Sequence, residues 1–345
     1  MSESFRNGFS RIGCAAHFVN KIIEHSLCNS NIDYDDIQQL FNDIHYIVVY
    51  LRSCHNQSKL SKKLEIFVKT RWCSAYDMIS IFIDVYPDLN GIISDKSQKS
   101  ILSGIDFDET LAFAKCLKYF VDVAELLSEE KTATIQLVLP LKQRLIKLSK
   151  LDPNDPDSII KLKKYIENEI PIYWELDDIH YMAAVLHKKM KYLQICPNKD
   201  KKKAYDLLKK EINRRQECFD QLSTSASVPD ANDKLKRYLQ ANDSLRDDED
   251  LFMFWKRQKA FYPTLYSIVC EILIIPATKT AAERLLSASG NTITNTRTRL
   301  SAEKVNKLMF IKKNLVILKK IFPQDVHLNH FDTHGSHDGC GRAWM

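Results

Sequence analysis

The sequence has no glycine between Gly104 and Gly290, and only eight in its 345 residues. That gap excludes a Gly-rich phosphate loop or dinucleotide fingerprint across more than half of the chain. It predicts helices joined by Pro, Asp and Asn turns. There is also no C-x-x-C pair. The nine cysteines, at 14, 28, 54, 73, 116, 196, 218, 270 and 340, are scattered and odd in number, as expected of reduced thiols rather than a disulfide framework. No apolar run reaches the 18 residues of a membrane helix, so no membrane partner is expected. The opening MSESFRNGFSRIG has no apolar signal core, which points to the nucleus or cytoplasm. A hydrophobic content of 45% is ordinary for a globular protein, and the length suits one large domain or two to three smaller ones.

Charge is unevenly distributed. The net charge is +6, yet Leu186 to Arg215 alone holds 11 Lys and Arg against three acids, an excess of +8 that leaves about −2 for the rest. Lys201, Lys202, Lys203, Arg214 and Arg215 are the candidate phosphate contacts, binding nucleic acid without reading its sequence. A solvated helix surface explains the same block, and Lys202, Lys209, Lys210, Arg214 and Arg215 do not share one helical face.

The first periodic stretch, Ser10 to Leu27, has Ala15, Phe18, Val19, Ile22 and Ile23 on one stripe and places Cys14 and His17 on one side. Zinc is disfavoured there, because Cys14 and His25 on one helix lie about 16 Å apart along its axis. A helix is expected from Ile37 to Cys54, a turn at Tyr86–Gly91, and a helix from Asp108 to Ser128. A kink or break is expected at Pro140, and a helix from Asp157 that ends before Pro171. Gln221 to Asp233 reads as a flexible loop. Five residues in the tail (His327, His330, His334, His337 and Cys340) can scavenge metal, but a disordered end fits the composition better.

The stretch Ile275 to Leu315 has three physical parts. A helix follows Pro276, with Thr280 as N-cap and Glu283 at capping-box spacing. Gly290-Asn291 then forms a turn before a polar arm with Arg297 and Arg299. Last, Ser301 opens a helix with Val305, Leu308, Met309, Ile311 and Leu315 as its apolar stripe.

The order Pro276-Ala277-Thr278, Ala282-Glu283-Arg284, Ser287 to Asn291 and Thr296-Arg297-Thr298-Arg299-Leu300-Ser301 resembles the C-terminal dimerisation region of hAT-superfamily transposases. Thr70-Arg71-Trp72-Cys73-Ser74-Ala75-Tyr76-Asp77-Met78 is similar to that family's T-R-W-N-S-T-Y-D-M, with Cys73 and Ala75 as departures. Cys14-x-x-His17 resembles its C/D-x-x-H. Leu186-His187-Lys188-Lys189-Met190-Lys191 stands where the family carries L-D-P-R-F-K, without the Asp-Pro. The resemblance implies that Glu283 corresponds to the last carboxylate of an Asp-Asp-Glu set on a ribonuclease-H-like fold. It implies that His17, Arg71 and Trp72 lie near a DNA end, and that Leu285, Leu286, Val305, Leu308 and Met309 serve dimerisation.

In the family both catalytic Asp residues precede the C/D-x-x-H motif, and here residues 1–13 hold no Asp. Two-metal cleavage needs several converging carboxylates, so Glu283 is expected to be a remnant. The expected fold is mainly α: a flexible start at 1–13, a helical insertion-type domain at 14–275, a dimerisation region at 276–320 with a ribonuclease-H-like remnant, and a disordered tail at 321–345. The expected function is that of a truncated or domesticated transposase that dimerises with itself or a related chain, binds DNA non-specifically and needs no cofactor. The alternatives are a fragment of an active transposase using Mg or Mn, and a host nucleic-acid-binding protein.

Overall fold

Helices account for the described chain. The computed structural model describes residues 12–28, 35–53, 55–69, 71, 73–220, 231–241, 249–285 and 302–321. The first seven helices are α1 (Ala15–Cys28), α2 (Asp35–Ser53), α3 (Cys73–Ile92), α4 (Lys96–Gly104), α5 (Phe107–Leu127), α6 (Val138–Leu148) and α7 (Asp157–Tyr173). They are followed by α8 (Asp178–Leu186), α9 (Asn198–Asp220), α10 (Ala231–Gln240), α11 (Leu251–Gln258) and α12 (Pro263–Ile272). A helical segment at 280–285 precedes α13 (Ala302–Ile321). Among the described residues the only β feature is an isolated bridge between Val68 and Arg71. The mainly-α expectation holds.

The chain divides into two compact units, Met1–Thr278 and Lys279–Met345. In the first, α1 packs on α5 and α7, α3 on α5, and α8 on α9 and on the short 3-10 turn Ile135–Leu137. One continuous apolar core runs from Ala15 to Ala277 and includes Phe82, Phe113, Phe120, Trp174 and Trp255. Asp95 and Asp106 start α4 and α5 by accepting the N–H of Gln98 (3.0 Å) and Glu109 (2.9 Å).

Prolines behave differently from expectation. Tyr86–Gly91 is not a turn, because α3 runs through Pro87 to Ile92. Val85 and Leu89 on either side are fully buried, while Pro87 itself is exposed. Burying two such side chains, at roughly 1.5–3 kcal/mol each, matches the ~3 kcal/mol of an interior proline. Likewise α7 passes Pro171 to reach Tyr173, anchored by buried Ile170 and Trp174. Pro140 neither kinks nor breaks a helix. It is the third residue of α6, in the first turn, where its missing N–H has no intrahelical acceptor.

Candidate functional site

Glu283 lies in the segment at 280–285. Its N–H donates to the Lys279 carbonyl at 3.0 Å, so the helix starts at Lys279 and buried Thr280 is inside it rather than capping it. Glu283 is half-buried. Among the described residues, no group of three or more His, Cys, Asp and Glu could hold a metal ion. A single carboxylate does not meet the needs of Mg or Mn chemistry.

The residues expected near DNA are not brought together on one element. Cys14 sits just before α1, buried, and its carbonyl accepts the N–H of His17 (3.0 Å) and Phe18 (3.3 Å). His17 is exposed. His25 Nδ1 meets the Tyr173 hydroxyl at 3.0 Å, which gives that histidine a structural partner. Arg71 is exposed at the entrance to α3, where its N–H donates to Val68 O (2.7 Å) and its carbonyl accepts from Ser74 N–H (2.8 Å). It forms no ion pair among the described residues. Trp72 lies outside the described residues, as do Leu286, Gly290, Arg297, Arg299, Ser301 and the histidine tail.

The basic block forms α9, amphipathic about Ala204, Leu208 and Ile212, which are all buried. Its outer face carries Lys199, Lys202, Lys203, Lys210 and Arg214, interrupted by Asp206 and Glu217. Several cations of α9 are engaged by groups of the chain itself. Lys203 pairs with Asp178 at 3.0 Å and lies 4.2 Å over the Tyr181 ring. Arg214 and Arg215 both bind Glu211, at 2.7 Å, and their hydrogen bonds hold its carboxyl below the usual range. Arg215 also reaches Ser267 (3.0 Å) and Glu271 (2.5 Å), tying α9 to α12. Lys201 is half-buried. The surface free to attract phosphate is therefore Lys199, Lys202 and Lys210.

The segment departing from L-D-P-R-F-K builds a double cap. The indole N–H of Trp255 donates to Leu186 O and the Tyr238 hydroxyl to Val185 O, each at 3.0 Å, closing the end of α8. In return the buried Lys191 ammonium donates to the carbonyls of Tyr238 (3.0 Å), Leu239 (2.6 Å) and Ala241 (2.8 Å), closing α10. Lys188 adds a bond to Ala241 O at 2.8 Å. Composition alone could not separate these two lysines from the solvated ones.

Two faces of α13 differ. Val305 and Met309 are buried in the chain, so two residues expected at a dimer interface are already covered. The opposite face presents Phe310 (63% exposed), Ile317 (56%) and Ile321 (60%), with Leu308 and Ile311 also exposed. Leu285 is half-buried. The sequence reading named the denser stripe and did not name this second apolar face. The spacing of seven and four from Phe310 to Ile317 to Ile321 was the available signal.

A helix apolar on opposite sides is ordinarily covered on both, and α13 leaves one of its two apolar faces exposed. Comparison with known proteins specifies the class. Residues 234–315 match the hAT family C-terminal dimerisation region. That match begins in α10, well before residue 276. Human zinc finger protein 618 is 20% identical over 342 residues, covering 90% of this chain and 35% of the relative. A putative AC transposase of maize is 22% identical over 360 residues, covering 88% of this chain and 44% of the relative. The chain thus spans about a third to under a half of the length of the curated relatives it matches. These matches bear out the resemblance: residues 234–315 are similar to the hAT dimerisation region, which supports self-association, and most of the chain is similar to part of a putative transposase.

Proposed function

We propose that the chain works as a self-associating hAT-type protein without strand-cleaving chemistry of its own, acting in the nucleus. The observation that carries this reading is the exposed apolar face of α13, in and just beyond a region matched as a dimerisation region. The reading without chemistry, which includes domestication or truncation, is supported by the finding that no group of three or more His, Cys, Asp and Glu among the described residues could hold a metal ion. Lys199, Lys202 and Lys210 add a weak, salt-sensitive attraction for DNA phosphates. Association is tested by sedimentation of the chain with and without Phe310→Asp. Chemistry is tested by offering end-bearing DNA with Mn²⁺, where nicking that Glu283→Gln abolishes would refute the inactive reading.

A second reading has its own observation. Ala15 and Ala277 are hydrogen-bonded, so the helical unit enters and leaves at one point, as an inserted domain must. On that reading residues 14–275 are an insertion into a ribonuclease-H-like fold, and segments outside the described residues or a companion chain supply the two Asp. Adding such segments and observing Mg²⁺-dependent cleavage would favour it.

A further inference from the structure

The exposed face of α13 has a register. Taking Phe310 and Ile317 as d positions of a heptad places Asn314 and Ile321 at a. Asn314 is half-buried and its Nδ2 donates to the Phe310 carbonyl at 2.9 Å, which leaves its Oδ1 to accept another bond. A single asparagine at an a position costs stability but fixes register and partner number, because its amide is satisfied only opposite a second amide. The flanking positions bear on direction. One flank holds Lys313 and Lys320, the other Ile311 and Leu318. Antiparallel pairing sets lysine flank against lysine flank. Parallel pairing sets each lysine flank against the apolar flank, where lysine stems lie over Ile and Leu with their ammonium groups in water.

We propose that α13 pairs in parallel and in register with α13 of a second copy, with Asn314 facing Asn314 and Phe310, Ile317 and Ile321 forming the layers around it. This rests on the self-association reading and sets its geometry. The seam is short, so it orients the two copies within a larger interface rather than supplying all of its affinity.

The test mixes charge variants. Asn314 is at the surface, so Asn314→Asp and Asn314→Lys should both fold, with helicity checked by circular dichroism. Each alone should dimerise roughly a hundredfold more weakly, because like charges meet in the seam. An equimolar mixture should recover dimers by sedimentation, because Asp then faces Lys. Recovery by Asn314→Asp with Ile317→Lys, but not by the pair at 314, would show antiparallel packing and overturn the proposal. A wild-type dimer indifferent to Asn314→Asp also overturns it, while leaving self-association standing. A wild-type monomer at tens of micromolar refutes both.

Discussion

The backbone N–H of Ala15 donates to the carbonyl of Ala277 at 3.0 Å, tying the first residue of α1 to the far end of the same helical unit. The N–H of Ala277 in turn donates to Thr134 Oγ1, also at 3.0 Å, and both residues are buried. Three distant parts of the chain meet there, and the clasp makes the unit closed at its base.

Thr134→Val keeps the shape and removes the acceptor, leaving a buried N–H unsatisfied. That should cost about 1–3 kcal/mol, read as a lower midpoint in urea with an unchanged slope. Thr134→Ser, which keeps the oxygen, should recover most of the loss.

The double cap between α8 and α10 should also be costly to break. Lys191→Met removes one donor from each of three carbonyls closing α10. Leu239 O keeps the Tyr192 hydroxyl and Ala241 O keeps Lys188, so the Tyr238 carbonyl bears most of the loss, expected at about 1–3 kcal/mol. Trp255→Phe, which removes only the bond to Leu186, should cost about 1–2 kcal/mol. Combined, they should depart from additivity, since both cap one junction. Additive losses in a double-mutant cycle would show that the two caps act independently.

Acid sensitivity should trace in part to His187. Burial, assisted by nearby Lys189, pushes its imidazole down to about 4. The folded value lies below the ordinary 6.5, so the unfolded chain takes up a proton that the folded chain refuses. Stability is therefore unaffected above pH 6.5, falls as pH drops from 6.5 towards 4, and then levels off. The loss is at most ~3 kcal/mol. His187→Gln should flatten that part of the stability profile, and an unchanged acid slope would contradict the assignment.

Cations on α9 should separate by role. Arg215→Met breaks the bonds to Glu211, Ser267 and Glu271 and should lower stability by about 1–3 kcal/mol. Replacing Lys199, Lys202 and Lys210 together by Gln should leave stability within about 0.5 kcal/mol. The same triple replacement should reduce the salt dependence of DNA binding by a slope of about 3. Binding indifferent to salt and to the triple variant would remove α9 as a nucleic-acid surface.

Helical periodicity made the fold class legible, as in α1 and α5, whose stripes at Val19, Ile22 and Ile23 and at Leu117, Phe120 and Val121 are core. Prolines were misread because their local cost is set against burial of neighbours far away in sequence, as at Val85 and Leu89. The charge block lies on a helix, as one of its two sequence readings had it. The buried Lys191 and the ion-paired Arg215 were not separable from it, because tertiary contacts with Tyr238 and Glu271 decide which cations are free. On α13 the family stripe was legible, but which side the chain itself covers was not.

The central claim, self-association through the outer face of α13, is tested most directly by sedimentation equilibrium at micromolar concentration, comparing wild type with the double variant Phe310→Asp, Ile317→Asp. The account predicts twice the mass of one chain for wild type and a helical monomer for the variant. A monomeric wild type, or a variant that stays dimeric, would contradict it.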